Sequence, residues 1–264
     1  MNNPKLNIKK HAINFCFLAS IVTSFSALSA SITTYRIYID KDKSTESFMV
    51  FSKKPVDEVC HLGLVHNNFD AAGQMTRYPD DSTPDNSAKP WLRFTPKNFK
   101  LKSSTAQAVR FSMRRKANVQ PAEYRSYLSI ECHEITPEKS KAKPTQGTAA
   151  VGLEPRLVQN VPVVVRTGRL NAKLTFGTTK IVDDKIFVTL NRTGNRSVYG
   201  KLSLIDKSSG DLINFTDAIS IYTETTTSTF DFPLSGHSPE QIKLRFEEDN
   251  TGSIVIERDL IKNK

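Results

Sequence analysis

Apolar and polar residues alternate along most of this chain, and that period of two limits the fold more than any other feature of its 264 residues. Residues 33–40 are typical, because they are rich in β-branched and aromatic side chains and end on polar residues that favour a turn. Similar segments follow at residues 47–51, 59–65, 91–94, 108–113, 127–135 and 161–166. Clusters of Pro, Gly, Asn and Asp separate them, and no segment repeats apolar residues at helical spacing. The sequence therefore predicts an all-β chain.

Two sets of strands predict two domains. About seven short strands before residue 168 indicate an antiparallel sandwich of the immunoglobulin type. The polar stretch 138–152 has no periodicity and is predicted to be a loop. Thr167 and Gly168 close the apolar strand that follows, so we place a first domain at residues 30–167 and a second at residues 168–264. The second set of predicted strands covers residues 170–176, 186–190, 199–205, 219–222, 230–232, 242–246 and 254–260.

The start of the chain has the order of a secretory signal peptide. Basic residues precede an apolar run over residues 12–28, and small residues lie at Ala27, Ser29 and Ala30. We therefore predict that residues 1–29 are a signal peptide, cleaved after Ser29. A membrane anchor is the alternative, but the apolar run is short, contains polar residues and has no basic segment after it. The chain is predicted to be exported.

The net charge indicates which kinds of molecule the protein can bind. Lys and Arg total 37, and three of these lysines lie in the predicted signal peptide, which leaves 34 basic and 27 acidic residues and a net charge of +7. A basic surface suits nucleic acid, anionic lipid or an acidic protein. Export argues against nucleic acid, so an acidic protein or a lipid surface remains.

The sequence does not indicate a catalytic or metal site. Cys60 and Cys132 remain after cleavage, and an even pair in an oxidising compartment favours one disulfide, with two buried thiols as the alternative. Metal binding by Cys60-His61, Cys132-His133 and His66 is disfavoured, because adjacent strand residues point to opposite faces of a sheet. A Gly-rich phosphate loop, a paired-cysteine zinc motif and a Gly-x-Ser-x-Gly elbow are all missing. We therefore predict no enzyme activity, no metal and no cofactor.

Four segments give the chain a family resemblance. Residues 35–40 read YRIYID, and residues 91–111 contain WLRFTPKNF followed by QAVRF. Residues 123–135 read EYRSYLSIECHEI, and residues 152–166 end in an apolar run that contains proline. With the export signal and the strand set, these segments resemble a periplasmic pilus-assembly chaperone of the chaperone–usher type. The chain is most similar to the alternative branch, which serves enterotoxigenic-type fimbriae, and the resemblance is diffuse after residue 168.

The resemblance implies two immunoglobulin-like β-sandwich domains joined at an angle, with a cleft between them. In this family an arginine of the opening strand enters the cleft and grips the C-terminal carboxylate of a pilus subunit, and Arg36 stands near that place. A lysine is the second anchor in long pilus-type relatives, but Pro162 occupies the aligned position here. Arg156 and Arg166 are the candidates to replace it, because they point the same way as residue 162.

A donor strand is also implied by the resemblance. In the family, alternate apolar residues of the seventh strand fill an open groove in a subunit that lacks its own final strand. The corresponding residues of this chain are Val151, Leu153, Pro155 and Leu157. They are expected to lie on the face opposite to residue 162.

A buried network joins the two domains in this family. Its glutamate position is occupied by Arg125 here, while Arg166 and Asp249 match its arginine and aspartate in place. A cation in the place of an anion cannot keep the same partners. We therefore expect a rewired network that includes Glu123.

Together these features imply a periplasmic chaperone that caps fimbrial subunits by donor-strand complementation and delivers them to an outer-membrane usher. The implied partners are the subunits and the usher, and a self-capping dimer of the free protein stays open. The alternative from another class is a secreted two-domain immunoglobulin-like adhesin or carbohydrate-binding module. Such a protein would keep the fold and have no use for the cleft.

Overall fold

The structure, a computed structural model, describes residues 30–70, 74–79, 82–114, 116–117, 119–135, 157–249 and 254–260. The predicted signal peptide and the predicted loop at 138–152 lie outside the described residues. So do the predicted site residues Val151, Leu153, Pro155 and Arg156. Within the described part of the chain, no helix has the length and apolar character needed to cross a membrane.

Strands make up the described chain, apart from turns and two short 3₁₀ helices at Lys89–Trp91 and Pro239–Gln241. The strands of the first half are β1 (Ser31–Ile32), β2 (Ile37–Ile39), β3 (Thr45–Phe51), β4 (Glu58–Val65), β5 (Asn67–Phe69), β6 (Met75–Arg77), β7 (Leu92–Thr95), β8 (Asn98–Leu101), β9 (Ala106–Met113), β10 (Ala122–Glu134) and β11 (Val158–Thr167). Those of the second half are β12 (Ala172–Val182), β13 (Lys185–Gly194), β14 (Val198–Asp206), β15 (Leu212–Ile221), β16 (Thr227–Pro233), β17 (Ile242–Glu248) and β18 (Val255–Asp259).

The first half of the chain is a β-sandwich. One sheet has the order β1-β3-β9-β7 and the other the order β2-β11-β10-β4-β8. All pairs are antiparallel except β2 with β11, which is parallel. Alternate residues of the facing strands form one core, in which Phe111, Leu128 and Ile130 are among the most deeply buried side chains. The hairpin of β5 and β6 is a separate two-stranded sheet.

The second half forms another sandwich with its own core. Its sheets have the orders β12-β13-β16 and β15-β14-β17-β18. Leu190, Phe232 and Phe246 lie in the core between them. The all-β fold class with two sandwich domains, predicted from the period of two, is thereby confirmed. The chain changes from one pair of sheets to the other between Thr167 and Ala172, next to the domain boundary at residue 168, which stays a prediction.

A disulfide joins the two central strands of the first domain. Cys60 on β4 and Cys132 on β10 are register partners, and their sulfur atoms are 2.05 Å apart. The cysteines face each other because antiparallel pairing brings their side chains to the same face. Of the two readings of these cysteines, the structure has the disulfide and not the free thiols.

Candidate functional site

One face of the first domain's larger sheet turns toward the second domain, and it holds the candidate site. Along β11, Val163 lies in the core, so the neighbouring Pro162 points to the other face. Pro162 pairs with Tyr127 on β10, and Val163 pairs with Ile37 on β2. The pairing of Ile37 with Val163 is parallel, so Arg36, the residue before Ile37, lies beside Pro162. The side chains of Arg36, Pro162 and Tyr127 therefore form one row across β2, β11 and β10, outside the core.

Arg36 reaches from this row into the second domain. Its Nη2 donates to Ser197 Oγ at 2.9 Å, and its Nη1 donates to Ser220 Oγ at 3.2 Å. The guanidinium carbon lies 4.8 Å from the ring centre of Tyr199 and 5.6 Å from that of Tyr222. The residue is only 6% exposed, and its buried Nε has no hydrogen-bond partner in the described structure. Within the described residues, Arg36 is therefore a buried cation that contacts hydroxyls and aromatic rings but no carboxylate.

Arg125 lies two residues before Tyr127 on β10, on the same face, and has a very different environment. Its Nη1 and Nη2 donate to the two carboxylate oxygens of Glu224 at 3.0 and 2.7 Å, and Nη2 also donates to the Asn67 carbonyl at 3.2 Å. Its guanidinium stacks 3.9 Å from the ring centre of Tyr222. Burial favours a raised pKa for Glu224, but the hydrogen bonds and charge of Arg125 outweigh it, so the pKa of Glu224 lies below its ordinary value. A bidentate ion pair thus links the two domains.

Arg166, at the end of β11, is also paired. Its Nε donates to Glu123 at 2.7 Å, and its Nη2 donates to the Ser197 carbonyl at 2.8 Å. Both carboxylate oxygens of Glu123 accept the Ser197 backbone N–H at 3.0 Å. The ring of Tyr38 lies under the guanidinium, 4.6 Å from it, and burial raises the pKa of Tyr38. The charge of Arg166 is therefore balanced by Glu123 within the described structure.

The network expected from the sequence is therefore only partly assembled. Glu123 and Arg166 come together because they are register partners on β10 and β11. The partner of Arg125 is Glu224 and not Glu123. Asp249 is exposed, and among the described residues its side chain contacts neither member of the Arg166 pair; its backbone N–H donates to the Tyr199 carbonyl at 2.9 Å.

Two further buried arginines lie on the second domain's side of the interface. Arg196 pairs with the carboxylate of Glu248, with Nη2 to Oε2 at 3.1 Å. The guanidinium of Arg192 donates at 2.9–3.3 Å to the backbone carbonyls of Gly194, Arg196, Tyr222, Thr223 and Thr225. Of the five buried arginines in the described chain, Arg36 thus has the least complete set of acceptors.

The start of β11 pairs with β10, and the side chain of Gln159 there donates to the Ala30 carbonyl. From Val158 to Pro162 the strand pairs with β10 on one side, but β2 pairs only with Val163–Val165 on the other. Leu157 precedes the strand and is 55% exposed, and Val158 is 41% exposed. Leu157 is the one predicted donor-strand residue that lies within the described chain.

Sequence reasoning missed the residues that the second domain contributes. Ser197, Tyr222 and Glu224 lie in loops or at strand ends, where alternation no longer reports burial. A glutamate within the polar run 223–227 resembles any solvated loop residue in the sequence. The only available signal was the unusual arginine at position 125, which required an acidic partner from elsewhere.

Comparisons with known proteins found similarity at the level of structure. No family model and no curated protein matches the chain. The structure is similar to that of a chaperone–tip adhesion subunit complex, CsuC–CsuE, from the archaic Csu pili of Acinetobacter baumannii, with a TM-score of 0.49 and 12% identity over 87% of this chain and 97% of that one. The Pseudomonas aeruginosa CupB2 chaperone gives a TM-score of 0.44 and 12% identity over 87% of this chain and 100% of that one. The class 5 fimbriae chaperone CfaA gives a TM-score of 0.44 and 10% identity over 89% of this chain and 100% of that one. Over most of its length, this two-domain β-sandwich chain is thus similar to solved chaperones of pilus and fimbrial systems.

Proposed function

We propose that this protein is a periplasmic chaperone that binds and caps fimbrial subunits by donating a β-strand, and then delivers them to an outer-membrane usher. The chaperone uses two elements in this proposal. Arg36 holds the C-terminal carboxylate of the subunit, and the strand that leads into β11 completes the subunit's fold.

The observation that carries the proposal is the state of Arg36. A buried charge is costly unless it is paired, and every other buried arginine of the described chain has a glutamate or several carbonyls as acceptors. Arg36 has only two serine hydroxyls as acceptors among the described residues, and its Nε, like that of Arg125, is unsatisfied. A carboxylate that enters between the domains would supply the missing anion, and the planar guanidinium can bind it through two parallel hydrogen bonds.

The strand pairing of β11 supports the second element. An added strand pairs along the edge of an existing one, and in the described structure β2 pairs with β11 over Val163–Val165. Leu157, which is exposed, directly precedes this strand and follows the predicted donor residues in the sequence. A subunit groove would bury such side chains, while hydrogen bonds along the backbone would hold the strands together.

Replacing Arg36 with alanine is expected to weaken subunit binding by about 10-fold to 100-fold, because charge-assisted hydrogen bonds to a carboxylate are worth about 1.5–3 kcal/mol. The experiment co-expresses the protein with a fimbrial subunit and measures both the periplasmic subunit level and the affinity of the purified pair. Arg36→Lys keeps the positive charge but not the two parallel donors of the guanidinium, so it should lose less affinity than Arg36→Ala.

The matched control is Arg93→Ala, which removes an exposed arginine from β7 of the same domain. It should bind subunit as the wild type does. A folded Arg36→Ala protein with unchanged affinity would remove the carboxylate site from the proposal.

Replacing Leu157 with glutamate is expected to weaken subunit binding by about 10-fold to 100-fold, because a charge would replace an apolar side chain in the subunit groove. Val158→Glu is the control, since it changes an exposed apolar residue one position away, which points to the opposite face of an extended strand. Equal effects of the two substitutions would argue against a donor strand with the predicted register.

A further inference from the structure

The hydroxyl of Tyr127 is a buried polar group that lies beside the side chain of Tyr222. Tyr127 is 5% exposed, and its oxygen makes no hydrogen bond of normal geometry to any described residue. A buried hydroxyl without a partner is costly, and such groups in native proteins usually have a reason. It lies on the same face as Arg36, whose Nε is also unsatisfied.

Strand register determines the distance between these two groups. Arg36 and Tyr127 lie on either side of Pro162 in one row of the sheet. Neighbouring strands are about 4.8 Å apart, so the Cα atoms of Arg36 and Tyr127 are about 10 Å apart. Pro162 between them is short and only partly buried. Two long side chains with polar tips therefore flank a position where the sheet itself supplies only a small residue.

The chemistry of the two tips is complementary to one carboxylate. Arg36 offers a cation with free donor capacity, and Tyr127 offers an O–H. Burial raises the pKa of Tyr127, and the charge and side-chain hydrogen bond of Tyr222 add to the increase, while Arg125 and, to a smaller degree, Arg36 lower it. The phenol therefore stays protonated near neutral pH and can donate. A carboxylate has two oxygens, one for each donor.

We propose that the Tyr127 hydroxyl is the second anchor of the carboxylate that Arg36 binds. This inference rests on the proposed function and names the residue that completes its site. Arg166 is less suited, because it is four residues from Pro162, about 13 Å along the strand, and already pairs with Glu123.

The test uses a synthetic peptide that copies the C-terminal strand of a fimbrial subunit shown to co-purify with the wild-type protein. The peptide is made twice, once with a free carboxylate and once as the C-terminal amide. Affinities of both peptides are measured for the wild type, Tyr127→Phe and Arg36→Ala. Tyr124→Phe on the core side of β10 serves as the matched control.

We expect Tyr127→Phe to bind the free-acid peptide about 10-fold to 100-fold more weakly and the amide peptide as the wild type does. Phenylalanine keeps the ring, so packing is retained, and Tyr124→Phe should change neither affinity.

The outcomes separate the inference from the function on which it rests. If the wild type prefers the free acid, Arg36→Ala loses that preference and Tyr127→Phe keeps it, the inference is wrong and the proposed function stands. An equal loss for both peptides would assign Tyr127 a packing role and also overturn the inference. If the wild type binds acid and amide alike, the carboxylate site itself is wrong, and the inference is wrong with it.

Discussion

Replacing Cys60 and Cys132 together with alanine is expected to lower the free energy of unfolding by about 4 kcal/mol. The disulfide closes a loop with a sequence separation of 72 residues, and its loss gives the unfolded chain more conformational freedom. Denaturant unfolding of the wild-type and double-alanine proteins measures the difference. The wild type under reducing conditions should behave like the variant, which separates the loss of the link from the change of side chain. An unchanged unfolding midpoint in both cases would contradict the prediction.

The second large effect concerns the interdomain pair of Arg125 and Glu224. Removing either partner alone, as Arg125→Met or Glu224→Leu, is expected to cost about 3–5 kcal/mol, because it leaves the other charge buried or half-buried without compensation. The double variant should recover much of that loss. Denaturant unfolding of the four proteins gives the coupling free energy directly.

A surface pair supplies the matched control for this experiment. Arg245 and Glu257 also form an ion pair, but both side chains are well exposed. Exposed pairs contribute about 0–1 kcal/mol, so Arg245→Met should change stability little. Similar losses for Arg125→Met and Arg245→Met would show that burial does not set the value of the Arg125 pair.

The pH dependence of stability tests the same pair independently. The pKa of Glu224 in the folded protein lies below its ordinary value of 4.5. A carboxylate with a lowered pKa stabilises the fold above that ordinary value, and its contribution is lost as the pH falls through the folded-state pKa. The wild type should therefore lose more stability on acidification below pH 4.5 than Glu224→Gln does.

At the interface between the domains, Arg36 differs from the other two buried arginines of the first domain. Arg125 and Arg166 reach from the first domain, and each has an acid and a backbone carbonyl as acceptors. Glu224 and the Ser197 carbonyl, both in the second domain, accept hydrogen bonds from Arg125 and Arg166, so these contacts join the two sandwiches. Arg36 crosses the same interface with hydroxyl partners only. Within the described residues, Arg36 thus differs from Arg125 and Arg166 because it has no acidic partner.

Several features followed from the sequence because their causes are local. The period of two decides which residues of a strand face a core, so the all-β class could be read from short segments. The pairing of Cys60 with Cys132 followed from their being the even pair left after the predicted cleavage in an oxidising compartment. The position of Arg36 next to an apolar strand was equally visible.

Tertiary structure alone decided the partners that lie far apart in the chain. Arg125 meets Glu224 across 99 residues and Arg166 meets Glu123 across 43, while Asp249, which matched a family position, lies apart from both. Local alternation tells on which face a charge lies but not which charge of another strand or domain faces it. That choice depends on strand register and on how two separately packed sandwiches meet, and neither is encoded in any short segment.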